Sequence, residues 1–432
     1  MTRITPTPFA KPFVATIIPP GSKSLTNRAL VLAALAHGQS RISNVLLADD
    51  SRVMIQSLAA LGFAIRLDEP NRTLLIDGCA GKVPASGAEL FCGNSGTTIR
   101  FLAALCALGR GSFTLDGIPR MRQRPIGELG EMLRHLGVRA EYPIADGFPP
   151  IRILADGFPG GRLHFGSAQS SQYLSAVLQI APYARNELNV DLGWPQTSWP
   201  YVAMTMRLMD IFGCTPELVR DPETSHPRQI FIPQQPYQAC DYHVEPDASN
   251  ASYFLAAAAI RDGAQITVHG LGKASLQGDV GFADLLRQMG AELVLGQDTI
   301  TLTGTGRLTG IDIDLSDMPD VAQTLGVVAL FAKGPTTLRG LHTLRIKETD
   351  RIAALAAELG KLGAQVTIEQ DTLTIEPPDQ ISPDQIATYD DHRMAMSFAV
   401  AATRCPGITI LDPDCCRKTY PEFFADLARL SL

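Results

Sequence analysis

Apolar and polar positions along the chain alternate between two periods, and the alternation itself repeats. Residues 13–18 read as a strand, Pro19, Pro20 and Gly21 interrupt it, and residues 25–36 are apolar or small at nearly every position, which predicts a buried helix. Further on, an amphipathic helix pattern ends five times in a large apolar residue followed by glycine, at Gly62, Gly137, Gly213, Gly290 and Gly363, spaced 75, 76, 77 and 73 residues apart. Short strand patterns follow these glycines, usually in pairs: 64–67 with 73–76, 291–295 with 299–302, and 365–369 with 372–375. Six units of about 72 residues account for the chain, each a strand, helix, strand, helix and a two-strand end. Alanine-rich helices such as 254–260 and 324–332 are apolar all round, so they are expected to be buried against their equivalents, three units to a domain. The proline-containing segment 232–241 falls between the third and fourth units and marks the expected domain boundary.

The units also open alike, with a small-residue loop leading into the alanine-rich helix. The six openings are Gly21-Ser-Lys-Ser, Gly93-Asn-Ser-Gly-Thr, Gly166-Ser-Ala-Gln-Ser-Ser-Gln, Pro246-Asp-Ala-Ser-Asn, Pro319-Asp-Val-Ala-Gln and Asp390-Asp-His-Arg. The first places Lys23, Ser24 and Arg28 at a helix N-terminus, where free amides and the helix dipole already favour an anion. It is not a Walker A loop, because no glycine stands four residues before the Gly-Lys pair such a loop requires. In repeat architectures equivalent loops share a face, so the openings are expected to gather Arg100, Arg120, Arg122, Arg124, Ser170, Ser171, Gln172, Ser198, Tyr201, Arg345, Lys347, Arg351, His392, Arg393, Arg417 and Lys418. Each piece also has an ordinary reading. Lys347 and Glu348 can be first-turn charges, His392 a structural histidine, the arginines at 120–124 a solvated loop, and Gly93 to Thr98 a capping turn.

Composition narrows what such a cluster could bind. The chain has 432 residues, 45% hydrophobic and 19% charged, enough for two full cores, and its formal net charge of −7 argues against nucleic acid as a partner. A basic site must therefore be local, a focused field for a small and highly anionic ligand. The first residues lack the apolar core of a signal peptide, no apolar run is long enough to span a membrane, and the cytoplasm is the expected location. Eight scattered cysteines without a CxxC pair read as reduced, packed thiols, with neither disulfide nor zinc.

In combination, Pro-Gly-Ser-Lys-Ser-x-x-Asn-Arg (20–28), Gly-Asn-x-Gly-Thr (93–97), Arg-Pro-Ile-Gly (124–127), Lys-Glu-Thr-Asp-Arg (347–351) and Asp-His-Arg-Met-Ala-Met (391–396), in this order, closely resemble the 5-enolpyruvylshikimate-3-phosphate synthases. The resemblance covers essentially the whole chain. It implies an α/β fold of two inverted barrel-like domains, each of three βαβαββ repeats, with ligand in the cleft between them. The domains would comprise residues 21–241 and residues 242–432 plus 1–20. The implied reaction moves the enolpyruvyl group of phosphoenolpyruvate to the 5-hydroxyl of shikimate 3-phosphate and releases phosphate, in a monomer, without metal or organic cofactor.

By matching motifs, Lys23, Ser24, Arg28, Ser170, Ser171, Ser198, Asp320 and Lys347 would hold shikimate 3-phosphate, with Tyr201 alongside. Lys23, Gly96, Arg124, Gln172, Arg351, Arg393 and Lys418 would hold phosphoenolpyruvate or its mimic glyphosate. Asp320 would be the base toward the 5-hydroxyl and Glu348 the proton carrier at C3, assisted by Lys23. The sequence departs from relatives at Thr343, where asparagine is common, at Trp199, where a basic residue is common, and at Thr98-Ile99-Arg100-Phe101. The same architecture serves UDP-N-acetylglucosamine enolpyruvyl transferases, but the cysteine that family carries before its Arg-Pro segment is missing from residues 118–123. A non-catalytic anion-binding protein of the same fold is the other alternative, and intact Lys23, Asp320 and Glu348 count against it.

Overall fold

The computed structural model describes residues 2–166 and 168–431. Ser167, in the opening loop of the third unit, lies outside the described residues, as do the two terminal ones. The chain divides into two compact units, residues 21–244 and residues 1–20 with 245–432. Each unit is a mixed α/β structure in which three inner helices are enclosed by sheets.

In residues 21–244 the inner helices are Lys23–Leu35, Gly96–Cys106 and Ser171–Ile180. In the other unit they are Ala248–Ala259, Ala322–Ala329 and His392–Ala402. Nearly every residue of these six helices is buried, as an apolar pattern without a polar face requires. The helices Ala248–Ala259, Ala322–Ala329 and His392–Ala402 pack on one another. A chain of hydroxyls joins them, with Ser252 Oγ 3.1 Å from Thr324 Oγ1 and Thr324 Oγ1 3.3 Å from Ser397 Oγ. Burying a hydroxyl without a partner is costly, so equivalent positions of three repeats satisfy one another.

The amphipathic helices lie outside these, and each of the five helix-ending glycines has the positive φ expected of a residue that closes a helix, from 85° at Gly137 to 120° at Gly290. A side chain there would be strained, which is why glycine recurs at this spacing.

Among the described residues, five sheets have four strands and one has three. A typical one runs Gly87–Phe91, Arg110–Asp116, Ile151–Asp156, Arg139–Glu141: the first pair is parallel, joined through the inner helix, and the rest antiparallel. Two sheets depart from sequential assembly. The strand Val14–Ile17, which precedes the first inner helix, pairs with Gln265–His269, while Asp241–His243, which precedes the fourth, pairs with His37–Ser43. The units thus exchange their first strands. At the N-terminus, Arg3–Ile4 pairs with Thr409–Leu411 and completes the sixth sheet. At the crossing, Asn44 Nδ2 donates to Val244 O at 2.8 Å, and a Cβ on Gly21 would strike the Asn44 carbonyl. Glycine at 21 is therefore a steric requirement of the fold.

Candidate functional site

The openings of the repeats are the N-termini of the inner helices. In residues 21–244 they are capped by Ser22, Ser95 and Ser170, whose hydroxyls accept from Leu25 N, Thr98 N and Gln172 N. The cap side chains themselves are neutral and add no negative charge at these helix ends. Lys23 Nζ lies 3.3 Å from Asp50 Oδ2. One turn on, Arg28 is buried, with Nε donating to Thr205 Oγ1 (2.7 Å), Nη1 to Ser24 O (3.1 Å) and Nη2 to Tyr201 O (3.2 Å) and Ser175 Oγ (3.4 Å). The guanidinium also stacks 5.1 Å from the Phe101 ring. All of these partners are neutral, and burial pulls the Arg28 pKa down to about 10.

A second basic group forms around Gly96. Arg124 Nη1 donates to Asn94 O (2.9 Å) and Asn94 Oδ1 (3.2 Å), and Arg100 reaches Gly96 O, Gln172 and Pro125 O. A Cβ on Gly96 would collide with the guanidinium ends of Arg100 and Arg124. A Cβ on Gly93, by contrast, would make only ordinary contact with Val53 at 3.7 Å, but φ is 55°, so that glycine serves the turn whereas Gly96 serves close approach. Ser171 and Ser198 are buried, Ser198 with φ 51°, a left-handed backbone uncommon for serine, just before the helix Trp199–Ile211. Tyr201 N donates to Ser198 O at 3.1 Å, which ties this corner to Arg28 through the Tyr201 carbonyl.

Residues 245–432 hold a different arrangement. Arg351, at the start of the helix Arg351–Lys361, is buried among three carboxylates. Its Nε and Nη2 donate to Asp391 (2.7 and 3.2 Å), Nη2 to Glu348 Oε2 (3.1 Å) and Nη1 to Asp320 Oδ1 (3.1 Å). Asp320 also accepts from Arg393 Nη2 at 2.9 Å and lies 3.5 Å from Lys347 Nζ, and Glu348 Oε1 is 3.5 Å from Lys418 Nζ. Burial alone would lower the Arg351 pKa, but Asp391, Glu348 and Asp320 raise it instead. Four cations and three carboxylates form one network. His392 is buried with Nδ1 3.8 Å from Asp391 Oδ1.

Each unit gathers most of the sequence-predicted residues that belong to it, but Arg120 donates to Gln123, and Arg122 pairs with Asp116, Arg345 with Asp350 and Asp371, and Arg417 with Asp414, so these four serve local surface contacts instead. Lys23, Ser24, Arg28, Ser198 and Tyr201 lie around one inner helix end, with Gly96, Arg124, Ser170, Ser171 and Gln172 around the next two. Asp320, Lys347, Glu348, Arg351, Arg393 and Lys418 form the network of the other unit. Sequence reasoning passed over Asp50, Asp391, Ser175 and Thr205. Asp391 stands inside a quoted motif and precedes a helix, so its capping role was available as a signal. Ser175 and Thr205 lie 147 and 177 residues from Arg28, and nothing local points to them. Thr343 is buried and its hydroxyl finds no hydrogen-bond partner among the described residues. No group of three or more His, Cys, Asp or Glu among them is placed to hold a metal ion.

Residues 9–427 match the family model described as EPSP synthase (3-phosphoshikimate 1-carboxyvinyltransferase). A 3-phosphoshikimate 1-carboxyvinyltransferase from Shewanella pealeana is 46% identical over 411 residues, 95% of each chain, and one from Nostoc punctiforme is 45% identical over 414 residues, 96% of each. Among solved structures, the EPSP synthase of Acinetobacter baumannii superimposes with a TM-score of 0.81 at 26% identity, covering 99% of this chain and 98% of that one. The enolpyruvyl transferase NikO of Streptomyces tendae, at 18% identity and a TM-score of 0.77 over 98% of this chain and 96% of that one, shares the fold.

Proposed function

Because the chain belongs to the EPSP synthase family, we propose that it transfers the enolpyruvyl group of phosphoenolpyruvate to the 5-hydroxyl of shikimate 3-phosphate. The observation that carries this reading is the network of Asp320 and Glu348 with Arg351, Arg393, Lys347 and Lys418. It holds proton-transfer groups and anion clamps within one set of contacts, which the chemistry requires. The two substrates together carry two phosphates and two carboxylates. On binding, these compete for the cations that Asp320 and Glu348 hold, and so free the carboxylates to move protons.

In the addition step the 5-hydroxyl oxygen bonds to C2 of phosphoenolpyruvate, Asp320 takes the hydroxyl proton and Glu348 delivers one to C3. In the elimination step C3 returns a proton, the double bond re-forms and the C2–O bond to phosphate breaks. Lys23 assists the proton transfers. Shikimate 3-phosphate is held by Lys23, Ser24, Arg28, Ser170, Ser171, Ser198, Tyr201, Asp320 and Lys347. Phosphoenolpyruvate is held by Lys23, Gly96, Arg124, Gln172, Arg351, Arg393 and Lys418. Cations supplied by side chains and a positioned acid and base suffice for these steps, so the enzyme acts without metal or organic cofactor. It works as a cytoplasmic monomer whose two compact units are its two domains.

Phosphate release measured with phosphoenolpyruvate and shikimate 3-phosphate tests the reading, with UDP-N-acetylglucosamine as the competing acceptor. Turnover with the shikimate ester alone is expected, and it should survive extensive chelation. Turnover with the nucleotide sugar alone would replace this reading with the related transferase, and none with either acceptor would leave an anion-binding protein.

A further inference from the structure

Arg100 was grouped by sequence with the ligand-facing cations, yet its donors point elsewhere. It lies one turn below Gly96 on the helix Gly96–Cys106 and is buried. Nη1 donates to Gly96 O at 3.1 Å and to Gln172 Oε1 at 2.9 Å, and Nη2 donates to Pro125 O at 2.9 Å. The guanidinium lies 5.4 Å from the Tyr173 ring, whose hydroxyl donates to the same Pro125 carbonyl at 2.8 Å. Burial raises the Tyr173 pKa, which keeps the phenol a donor.

We propose that Arg100 is a positioning residue that sets the polarity of the phosphoenolpyruvate-binding wall, an inference that rests on the assignment of Gly96, Arg124 and Gln172 to that substrate. One guanidinium gathers three oxygens from three segments: the start of the helix Gly96–Cys106, the residue after Arg124, and the first turn of the helix Ser171–Ile180. Without Arg100, the Gln172 oxygen would present partial negative charge to an anion, whereas the Pro125 carbonyl would keep the Tyr173 hydroxyl. Bound to Arg100, the Gln172 oxygen does not. The Gln172 amide is oriented by the same contact, because turning it over would set its NH2 against the guanidinium N–H groups. With Oε1 on Arg100, both Nε2 hydrogens are left to donate elsewhere, the polarity an incoming phosphate or carboxylate needs. The acceptors around Arg100 are all neutral, so its positive charge beside Gly96 is kept. Lysine could supply that charge, but its three donors share one atom and cannot span acceptors lying in three directions.

A double-mutant cycle with Arg100→Lys and Gln172→Met separates positioning from charge. Arg100→Lys is expected to raise KM for phosphoenolpyruvate by about tenfold, the lower end of what a hydrogen bond to a charged group contributes. KM for shikimate 3-phosphate should stay within about twofold, and in the Gln172→Met background the lysine should add less than about threefold. Equal rises in both KM values, or an undiminished tenfold effect in the Gln172→Met background, would overturn the proposal. Gln172→Glu adds a melting readout that needs no substrate and so stands apart from the functional reading. It gives Arg100 a carboxylate partner while removing the donors, so melting temperature should rise and phosphoenolpyruvate binding, read by calorimetry, should be lost. A lower melting temperature or unchanged binding would also refute it.

Discussion

The two compact units share a repeat and use it oppositely. In residues 21–244 all three inner helices are capped by serines, and the buried arginines at 28 and 100 meet only neutral acceptors. In residues 245–432 the caps on two inner helices are Asp247 and Asp391, and Arg351 alone touches three carboxylates. The first arrangement keeps positive charge in store for a ligand and bears the desolvation cost itself. The second is nearly neutral as it stands, and a ligand changes which partners its charges have. On the proposed function, the same helix-end architecture supplies binding in one region and acid–base chemistry in the other, and the choice lies in a few residues at the helix starts.

The largest expected effects lie in the second region. Asp320→Ala or Glu348→Ala should lower turnover by on the order of 10²–10⁴, the usual contribution of a positioned acid or base, with phosphoenolpyruvate binding affected far less. Steady-state kinetics would reveal a catalytic role misassigned if either variant kept near-normal turnover.

Stability should divide the regions next. Arg351→Met strands Asp391, Glu348 and Asp320 without their shared cation, and denaturant unfolding should show a loss of about 3–5 kcal/mol. Arg28→Met removes a cation that burial already disfavours, so the loss should be about 1 kcal/mol, although shikimate 3-phosphate binding should fail. Equal losses in the two variants would erase the proposed contrast.

Gly96→Ala comes third. The added methyl meets side-chain ends, those of Arg100 and Arg124, and not backbone, so the helix should hold while the guanidiniums are displaced from their acceptors. Ligand affinity should fall by roughly 1–3 kcal/mol, more for glyphosate, the longer molecule, than for phosphoenolpyruvate. Inhibition and Michaelis constants changing by the same factor would remove Gly96 from the pocket wall. The smallest effect belongs to Gly213→Ala, at φ 87° with its nearest neighbour 3.4 Å from the added carbon. It should cost about 1 kcal/mol from backbone strain alone and leave turnover unchanged. A turnover loss would show that this glycine does more than end a helix.

What could be read from the sequence was local. A glycine that ends a helix and an all-apolar helix each follow from near neighbours, and the structure has Gly62 and Ala248–Ala259 in those roles. Partners set by long-range pairing could not be read. Val14–Ile17 looks like any strand before a helix, and nothing within it reveals that its neighbour is Gln265–His269. At the site, the helix-start cations were visible, but the side chains that receive them were not. Arg100 looks identical in sequence to a ligand-facing cation, and only the positions of Pro125 and Gln172 show where its donors go, just as only the structure shows that Thr205 and Ser175 receive donors of Arg28.

Calorimetric binding of shikimate 3-phosphate, measured beside turnover for Arg28→Ala and Glu348→Ala, tests the division most directly. Arg28→Ala should lose at least about a hundredfold in affinity, the upper range for a hydrogen-bonded charge. Glu348→Ala should bind within about threefold of the parent while its turnover falls by on the order of 10²–10⁴. The reverse partition, with binding lost at Glu348 and kept at Arg28, would contradict the assignment of binding to one region and proton transfer to the other.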